Sequence, residues 1–176
     1  GVAGFDVTGN ADRLRQVQTC CKAADVVVTT SDILAKELTY YNDNLRIFPN
    51  CLDFKLWRND LKIERDGKIR IVWQGGSSHL FDLHLVRDAL LEVLKANKNV
   101  VFVCAGFNPD SFGRVFPSDQ IEFWDWDEFK TYPYRLHRMR GDIGIIPLRR
   151  TLFADCKSPI KWVEMSALEI PCVVSD

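Results

Sequence analysis

The sequence has few of the features that mark membrane-spanning or nucleic-acid-binding proteins. No apolar run approaches the roughly 20 residues needed to cross a bilayer. The 23 basic and 24 acidic side chains nearly cancel, and the net charge of -1 gives no reason to expect a nucleic-acid partner. We therefore expect a cytoplasmic protein without a transmembrane segment, and leave open a peripheral membrane attachment of the full-length protein.

The six cysteines also lack the spacing of common metal sites. None forms a CxxC pair, so a structural zinc site is disfavoured. Cys104 and Cys172 lie inside apolar, strand-like runs. We expect reduced thiols that pack as small hydrophobic side chains, and neither a metal nor another cofactor.

Neither nucleotide-binding glycine fingerprint is present. GxxxxGK[ST] is missing, and GxGxxG follows none of the candidate strands, which disfavours an NAD-binding module. Helical patterns instead alternate with β-rich runs, which lie at 69–74, 100–106, 121–124, 142–148 and 171–175. Helices are predicted over 80–95, 127–139 and 158–168. This order predicts an α/β fold, a Rossmann-like, doubly wound parallel sheet.

The first 50 residues show a shorter alternation of the same kind. Helical patterns at 11–23 and 33–41 alternate with β-rich runs at 25–30 and 45–48, and Ser31 is a candidate helix cap. We expect residues 1–50 to end a preceding Rossmann-like domain and 51–68 to be a linker. Residues 69–176 are then the main domain, and we expect it to continue beyond Asp176.

Parallel sheets bind ligands at the carboxyl ends of their strands. The loop after the first main-domain strand contains Gly75, Gly76, Ser77, Ser78 and His79. Glycines allow a ligand to approach the backbone, and the following helix start can bind phosphate. A tight turn with a serine cap explains the same residues equally well.

The predicted helix over 158–168 has an unusual apolar stripe. Ser158 is a candidate N-cap, and Lys157 and Lys161 add positive charge at this anion-favouring end. Glu164 occupies a position of the stripe where an apolar residue is expected. Its carboxylate either accepts hydrogen bonds from ligand hydroxyls, such as a ribose diol, or forms an internal salt bridge with Lys161.

Two further groups lie on the predicted ligand edge. Asp125-Trp126-Asp127 matches a DxD metal motif, although Asp127 is also a good helix start, and Trp124 and Trp126 could border a nucleobase or simply pack. Arg149-Arg150 could steer an anionic substrate or be a solvated pair of charges.

Four segments in order resemble a known family. They are ADVVVTTSDILAKEL, LRIFPNCLDFKLW, IRIVWQGGSSHLFDLHLVRDAL, and YRLHRMRGDIGIIPL followed by KSPIKWVEMSALEIPCVVSD. Together they resemble the C-terminal, donor-binding half of retaining GT-B-fold glycosyltransferases of the group-1, family-4 type.

The resemblance implies transfer of a hexose, with retention and without a metal, from a nucleoside diphosphate sugar to an acceptor hydroxyl. The acceptor could be a saccharide, a lipid or another molecule, and this fragment alone is expected to be inactive. Glu164 matches the second of two family glutamates, the one placed against the donor ribose, whereas Cys156 stands at the position of the first. The family's diphosphate-binding Arg and Lys are not matched, so the loop 75–79 with Lys157, Ser158 and Lys161 is expected to replace them. A GT-B-like epimerase or phosphorylase, or a non-catalytic α/β interaction module, are the alternatives.

Overall fold

The computed structural model describes residues 7–57, 62–108, 112, 114–126 and 128–175. Its contacts divide the chain into two compact units. The first consists of residues 1–50 and 151–158, and the second of residues 51–150 and 159–176. Residues 151–158, which the sequence groups with the main domain, therefore belong to the first unit. No helix in the described ranges is both long and apolar enough to span a membrane.

The first unit is built on a small parallel sheet. It contains α1 (Val7–Ala23), β1 (Val27–Thr29), α2 (Asp32–Leu38) and β2 (Leu45–Ile47), and a one-turn helix at Leu152–Asp155. β1 and β2 pair in parallel. Ser31 caps α2 as predicted, because its Oγ accepts a hydrogen bond of 3.2 Å from the backbone N–H of Leu34.

The second unit carries a five-stranded parallel sheet. Its strands are β3 (Ile69–Gln74), β4 (Val100–Ala105), β5 (Ile121–Trp124), β6 (Ile143–Ile146) and β7 (Cys172–Val174). All neighbours pair in parallel in the order β5-β4-β3-β6-β7. The strand order reverses direction between β3 and β6. The predicted α/β fold with a parallel, Rossmann-like sheet is confirmed.

Helices cover the sheet, but two of them differ from the prediction. A 3₁₀ turn (Ser77–His79) leads into α3 (Leu80–His84) and α4 (Arg87–Ala96), and the later helices are α5 (Tyr132–Arg138) and α6 (Ile160–Ala167). The helix predicted over 80–95 is interrupted at residues 85–86, where the backbone N–H groups bond to carbonyls three residues earlier. The helix predicted from Asp127 begins instead at Tyr132, because Pro133 favours the first turn of a helix.

The core lies on both faces of the sheet because side chains of a strand alternate in direction. Val72 packs on one face with side chains of α5 and α6 such as Leu136 and Met165. Ile71 and Trp73 pack on the other face with side chains of α3 and α4. β4 is buried along its whole length, as expected for an internal parallel strand.

Two sequence expectations about buried residues have clear outcomes. Part of the expected linker contributes to the core, since Trp57 is buried beside the α5–α6 face. The six cysteines are free thiols. Cys104 is fully buried, and burial raises the pKa of its thiol to about 12. It behaves as the small hydrophobic side chain that the sequence predicts.

Candidate functional site

A cavity of about 400 Å³ opens at the carboxyl edge of the five-stranded sheet. The ends of three adjacent strands form its floor, namely Gln74 and Gly75 after β3, Ala105 and Gly106 after β4, and Asp125 and Trp126 after β5. Helices α5 and α6 supply the wall, which includes Tyr132, Arg135, Lys161 and Glu164. The cavity is therefore at the edge where parallel sheets bind ligands.

Two glycines keep the floor of the cavity open. A Cβ on Gly75 would lie 2.7 Å from Cζ2 of the buried Trp73 ring, so no side chain has room there. Gly106 has a φ of +87°, and a Cβ on it would lie 3.0 Å from the carbonyl oxygen of Gly75. Glycine is thus required at both positions for packing or for backbone conformation.

Glu164 projects from α6 into the cavity wall, as the apolar stripe predicts. Its Oε2 accepts hydrogen bonds from Gln74 Nε2 at 2.8 Å and from Tyr132 Oη at 3.1 Å. Among the residues that the structure describes, Oε1 has no hydrogen-bond partner, and Glu164 forms no ion pair with Lys161. The salt-bridge alternative is therefore wrong.

Burial and hydrogen bonding act in opposite directions on Glu164. Burial raises the pKa of its carboxyl group, while the hydrogen bonds from Tyr132 and Gln74 and the charge of Lys161 oppose the rise. Burial also raises the pKa of the Tyr132 hydroxyl, with the charge of Glu164 as a second cause, so Tyr132 is a permanent donor. Glu164 is held by one oxygen, and the other can accept hydrogen bonds from a ligand.

Sequence reasoning missed both residues that hold Glu164. Gln74 is the one uncharged polar residue in the strand sequence IRIVWQ, and it is buried at 5% exposure. A buried amide at the ligand end of a strand needs a partner, which is a signal that the sequence contains. Tyr132 precedes a proline in an aromatic-rich stretch, and nothing in its sequence context distinguishes it from a packing residue.

Lys161 supplies positive charge at the same cavity. Its Nζ lies 5.7 Å from the centroid of the Trp73 ring and 3.1 Å from the point that a Cβ of Gly75 would occupy. The ammonium group is therefore beside the loop after β3. Lys161 is also in the first turn of α6, where the helix dipole favours an anion.

The two predicted base-bordering tryptophans have different environments. Trp126 is 66% exposed and lines the cavity, and a Cβ on Gly76 or on Gly106 would lie 3.4 Å from its ring. Trp124 packs against the core and under Arg135, whose guanidinium carbon is 5.5 Å from its ring centroid. The described lining of the cavity thus contains Trp126 but not Trp124.

The remaining residues of the predicted phosphate loop form a 3₁₀ turn. The tight turn considered as an alternative is therefore present, but Gly76 takes its N-cap position without a side-chain hydrogen bond, so the predicted serine cap is wrong. Ser77, Ser78 and His79 make up the turn, and His79 Nδ1 lies 2.9 Å from Asp82 Oδ2. Gly75 is the member of this loop that lines the cavity.

Lys157 and Ser158 belong to the first unit together with Cys156. The Nζ of Lys157 lies 4.6 Å from the ring centroid of Phe153, and Ser158 Oγ accepts a hydrogen bond of 2.6 Å from Asn50 Nδ2. The predicted N-cap role of Ser158 is wrong. Helix α6 begins at Ile160, and Pro159 takes the cap position without a side-chain bond.

The DxD motif is described only in part. Asp125 lines the cavity, while Asp127 lies outside the described residues. Over the ranges that are described, no cluster of three metal-ligating side chains occurs.

Comparison with known proteins supports the fold. The structure resembles that of TarM, a glycosyltransferase, with a TM-score of 0.63 at 10% sequence identity. The match covers 93% of this chain and 32% of TarM, so the chain spans about a third of that protein. No protein-family model and no curated protein matches the sequence. The comparison therefore shows the fold of the chain, which it shares with part of TarM.

Proposed function

We propose that the chain is the donor-binding part of a glycosyltransferase that uses a nucleoside diphosphate sugar. The observation that carries the proposal is the geometry of Glu164. One carboxylate oxygen is held by Gln74 and Tyr132, while the other has no hydrogen-bond partner among the described residues, at the wall of a cavity. A carboxylate oxygen presented in this way suits the two hydroxyls of a ribose.

The surroundings of Glu164 suit the other parts of such a donor. Trp126 offers an exposed aromatic face for a nucleobase, and Lys161 offers a cation for phosphate beside the glycine-lined floor. We also propose that residues 75–79 and 157–158 bind phosphate. Trp124 is proposed to border the nucleobase. No resident metal or cofactor is part of the proposal.

The proposed reaction breaks the bond between the anomeric carbon of a hexose and the diphosphate oxygen. The oxygen of an acceptor hydroxyl forms the new bond to that carbon, with retention of configuration, and the proton of that hydroxyl passes to the leaving diphosphate. Negative charge develops on the leaving diphosphate, and a fixed cation such as Lys161 lowers the barrier by stabilising it. The same proposal includes an acceptor site. It also assigns residues 1–50 to a preceding domain, residues 51–68 to a linker and residues 69–176 to the donor-binding domain.

Calorimetric titration tests the proposal directly. The chain is titrated with uridine, guanosine and adenosine diphosphates, and we expect binding of one of them in preference to the other two. A folded chain that binds none of the three would refute the proposal.

A further inference from the structure

Asp82 is a buried carboxylate that the donor cavity does not use. It lies in the helical segment predicted over 80–95, and its side chain is only 7% exposed. A buried carboxylate is unfavourable unless cations or hydrogen-bond donors compensate it. Its partners therefore indicate why the chain retains it.

The partners of Asp82 come from two loops. Its Oδ2 lies 2.9 Å from His79 Nδ1, in the turn that follows β3. Its Oδ1 accepts a hydrogen bond of 3.0 Å from the backbone N–H of Arg149 and lies 3.4 Å from Arg149 Nε, in the loop after β6. β3 and β6 are the adjacent strands at which the strand order reverses. Asp82 thus ties together the two loops at the carboxyl ends of these strands.

Arg149 is oriented on two sides by this arrangement. Its guanidinium carbon lies 4.9 Å from the ring centroid of Phe81, and its Nε faces Asp82. About half of the side chain is exposed, at 48%. The two terminal guanidinium nitrogens make no hydrogen bond to a residue within the described ranges. A pre-oriented guanidinium with an exposed outer edge is well suited to bind two phosphate oxygens.

We propose that Arg149 binds the diphosphate group of the donor and that Asp82 is the residue that positions it. The inference rests on the proposed function, and it answers how a diphosphate with more than one negative charge is neutralised. Two cations line the cavity among the described residues, namely Arg135, which contacts the Trp124 ring and the carbonyl oxygen of Trp126, and Lys161, which lies beside the glycine floor. Arg149 adds another cation at the same edge of the sheet.

The test compares Arg149→Gln with the neighbouring Arg150→Gln as a matched control. Each variant is titrated with the three nucleoside diphosphates, with the corresponding nucleosides, and with inorganic pyrophosphate. Loss of a charge-assisted contact weakens binding of diphosphates and pyrophosphate by about tenfold in Arg149→Gln and leaves nucleoside binding unchanged. In Arg150→Gln we expect a change of less than about twofold, as for an exposed side chain outside the site. Circular dichroism verifies that both variants are folded.

Asp82→Asn tests the positioning role through its coupling to Arg149. If Asp82 acts by orienting Arg149, the double variant binds diphosphate no more weakly than Arg149→Gln alone, because the two losses are not additive. A merely structural role of Asp82 would make the two losses add. Additive losses would therefore overturn the positioning role.

The outcomes separate this inference from the proposed function. Diphosphate binding that is equal in Arg149→Gln and Arg150→Gln overturns the inference while the proposed function stands. Pyrophosphate binding that depends on Arg149, without binding of any nucleoside diphosphate, supports the anion site and refutes the proposed function. Failure to bind either kind of probe refutes both.

Discussion

Replacing Glu164 with glutamine separates ligand binding from folding. The amide has the shape of the carboxylate, and its oxygen can still accept hydrogen bonds from Gln74 and Tyr132. These two bonds weaken because the acceptor loses its charge, but the unfavourable burial of that charge is removed at the same time. The two effects offset each other, so we expect the free energy of unfolding to change by less than about 1 kcal/mol.

Binding responds much more strongly to the same substitution. When the amide oxygen stays with Gln74 and Tyr132, the NH₂ group takes the position of Oε1 and cannot accept a hydrogen bond from a ribose hydroxyl. Two hydrogen bonds to a charged acceptor are lost at about 1 kcal/mol or more each, which predicts a loss of affinity of about 30-fold. Isothermal titration with the preferred nucleoside diphosphate measures this loss, and urea unfolding measures the stability.

A ligand without the ribose diol is the control. The 2′,3′-dideoxy form of the nucleotide should bind wild type and Glu164→Gln with nearly equal affinity, because the hydroxyls that distinguish the two proteins are absent. A 30-fold loss that persists with the dideoxy nucleotide would contradict the reasoning. A decrease in the free energy of unfolding by more than about 2 kcal/mol would also contradict the reasoning, because a structural role would then explain why Glu164 is buried.

The pH dependence gives the same experiment an internal check. Burial raises the pKa of Glu164 in the folded state, so the folded chain holds this proton more tightly than the unfolded chain does. Its stabilising contribution is complete at low pH and is lost as the pH rises through the folded pKa. Nucleotide affinity should change in the opposite direction, because the ligand hydroxyls need the ionised carboxylate. Both trends, measured by urea unfolding and by calorimetry across acidic pH, should be absent from Glu164→Gln.

Two further substitutions test the parts that surround Glu164. Tyr132→Phe removes one hydrogen-bond donor to Glu164, so it should lower the free energy of unfolding by about 1 kcal/mol. Because that hydrogen bond lowers the pKa of Glu164, the pH dependence of nucleotide affinity should shift to higher pH. An unshifted profile in calorimetry would argue against the hydrogen bond. Gly75→Ala places a Cβ 2.7 Å from the buried Trp73 ring and should cost about 1–3 kcal/mol in urea unfolding, whereas Gly76→Ala, with 3.4 Å to the exposed Trp126, should cost less than about 0.5 kcal/mol. Equal costs for the two alanine variants would contradict the packing argument.

The fold and part of the site follow from local sequence patterns. The strands carry runs that are apolar enough to be buried on both faces, as at Val100–Ala105, so their parallel arrangement is predictable. Glu164 stands out because it interrupts an apolar stripe of a helix. Its charge makes that position unfavourable without a partner, and the structure supplies Gln74 and Tyr132.

Other features depend on contacts that no local pattern encodes. Nothing in the sequence around Asp82 indicates that its carboxylate is buried and bonded to the backbone N–H of Arg149. Ser158 has the sequence of a good cap, yet the backbone enters the helix one residue later and its hydroxyl binds Asn50 instead. In each case a partner distant in sequence decides the conformation, so sequence spacing alone is a poor guide.

The strand order also determines when the cavity can form during folding. β3, β4 and β5 follow one another along the chain and pair in that order, so this half of the sheet can assemble from contacts of modest sequence separation. Glu164 meets Gln74 across 90 positions of the chain, and contacts of such separation are slow to form because a long loop must close first. The ribosome therefore synthesises the residues of the cavity floor before it synthesises Glu164. Ligand binding through Glu164 thus depends on a contact between distant parts of the chain, the one between Glu164 and Gln74.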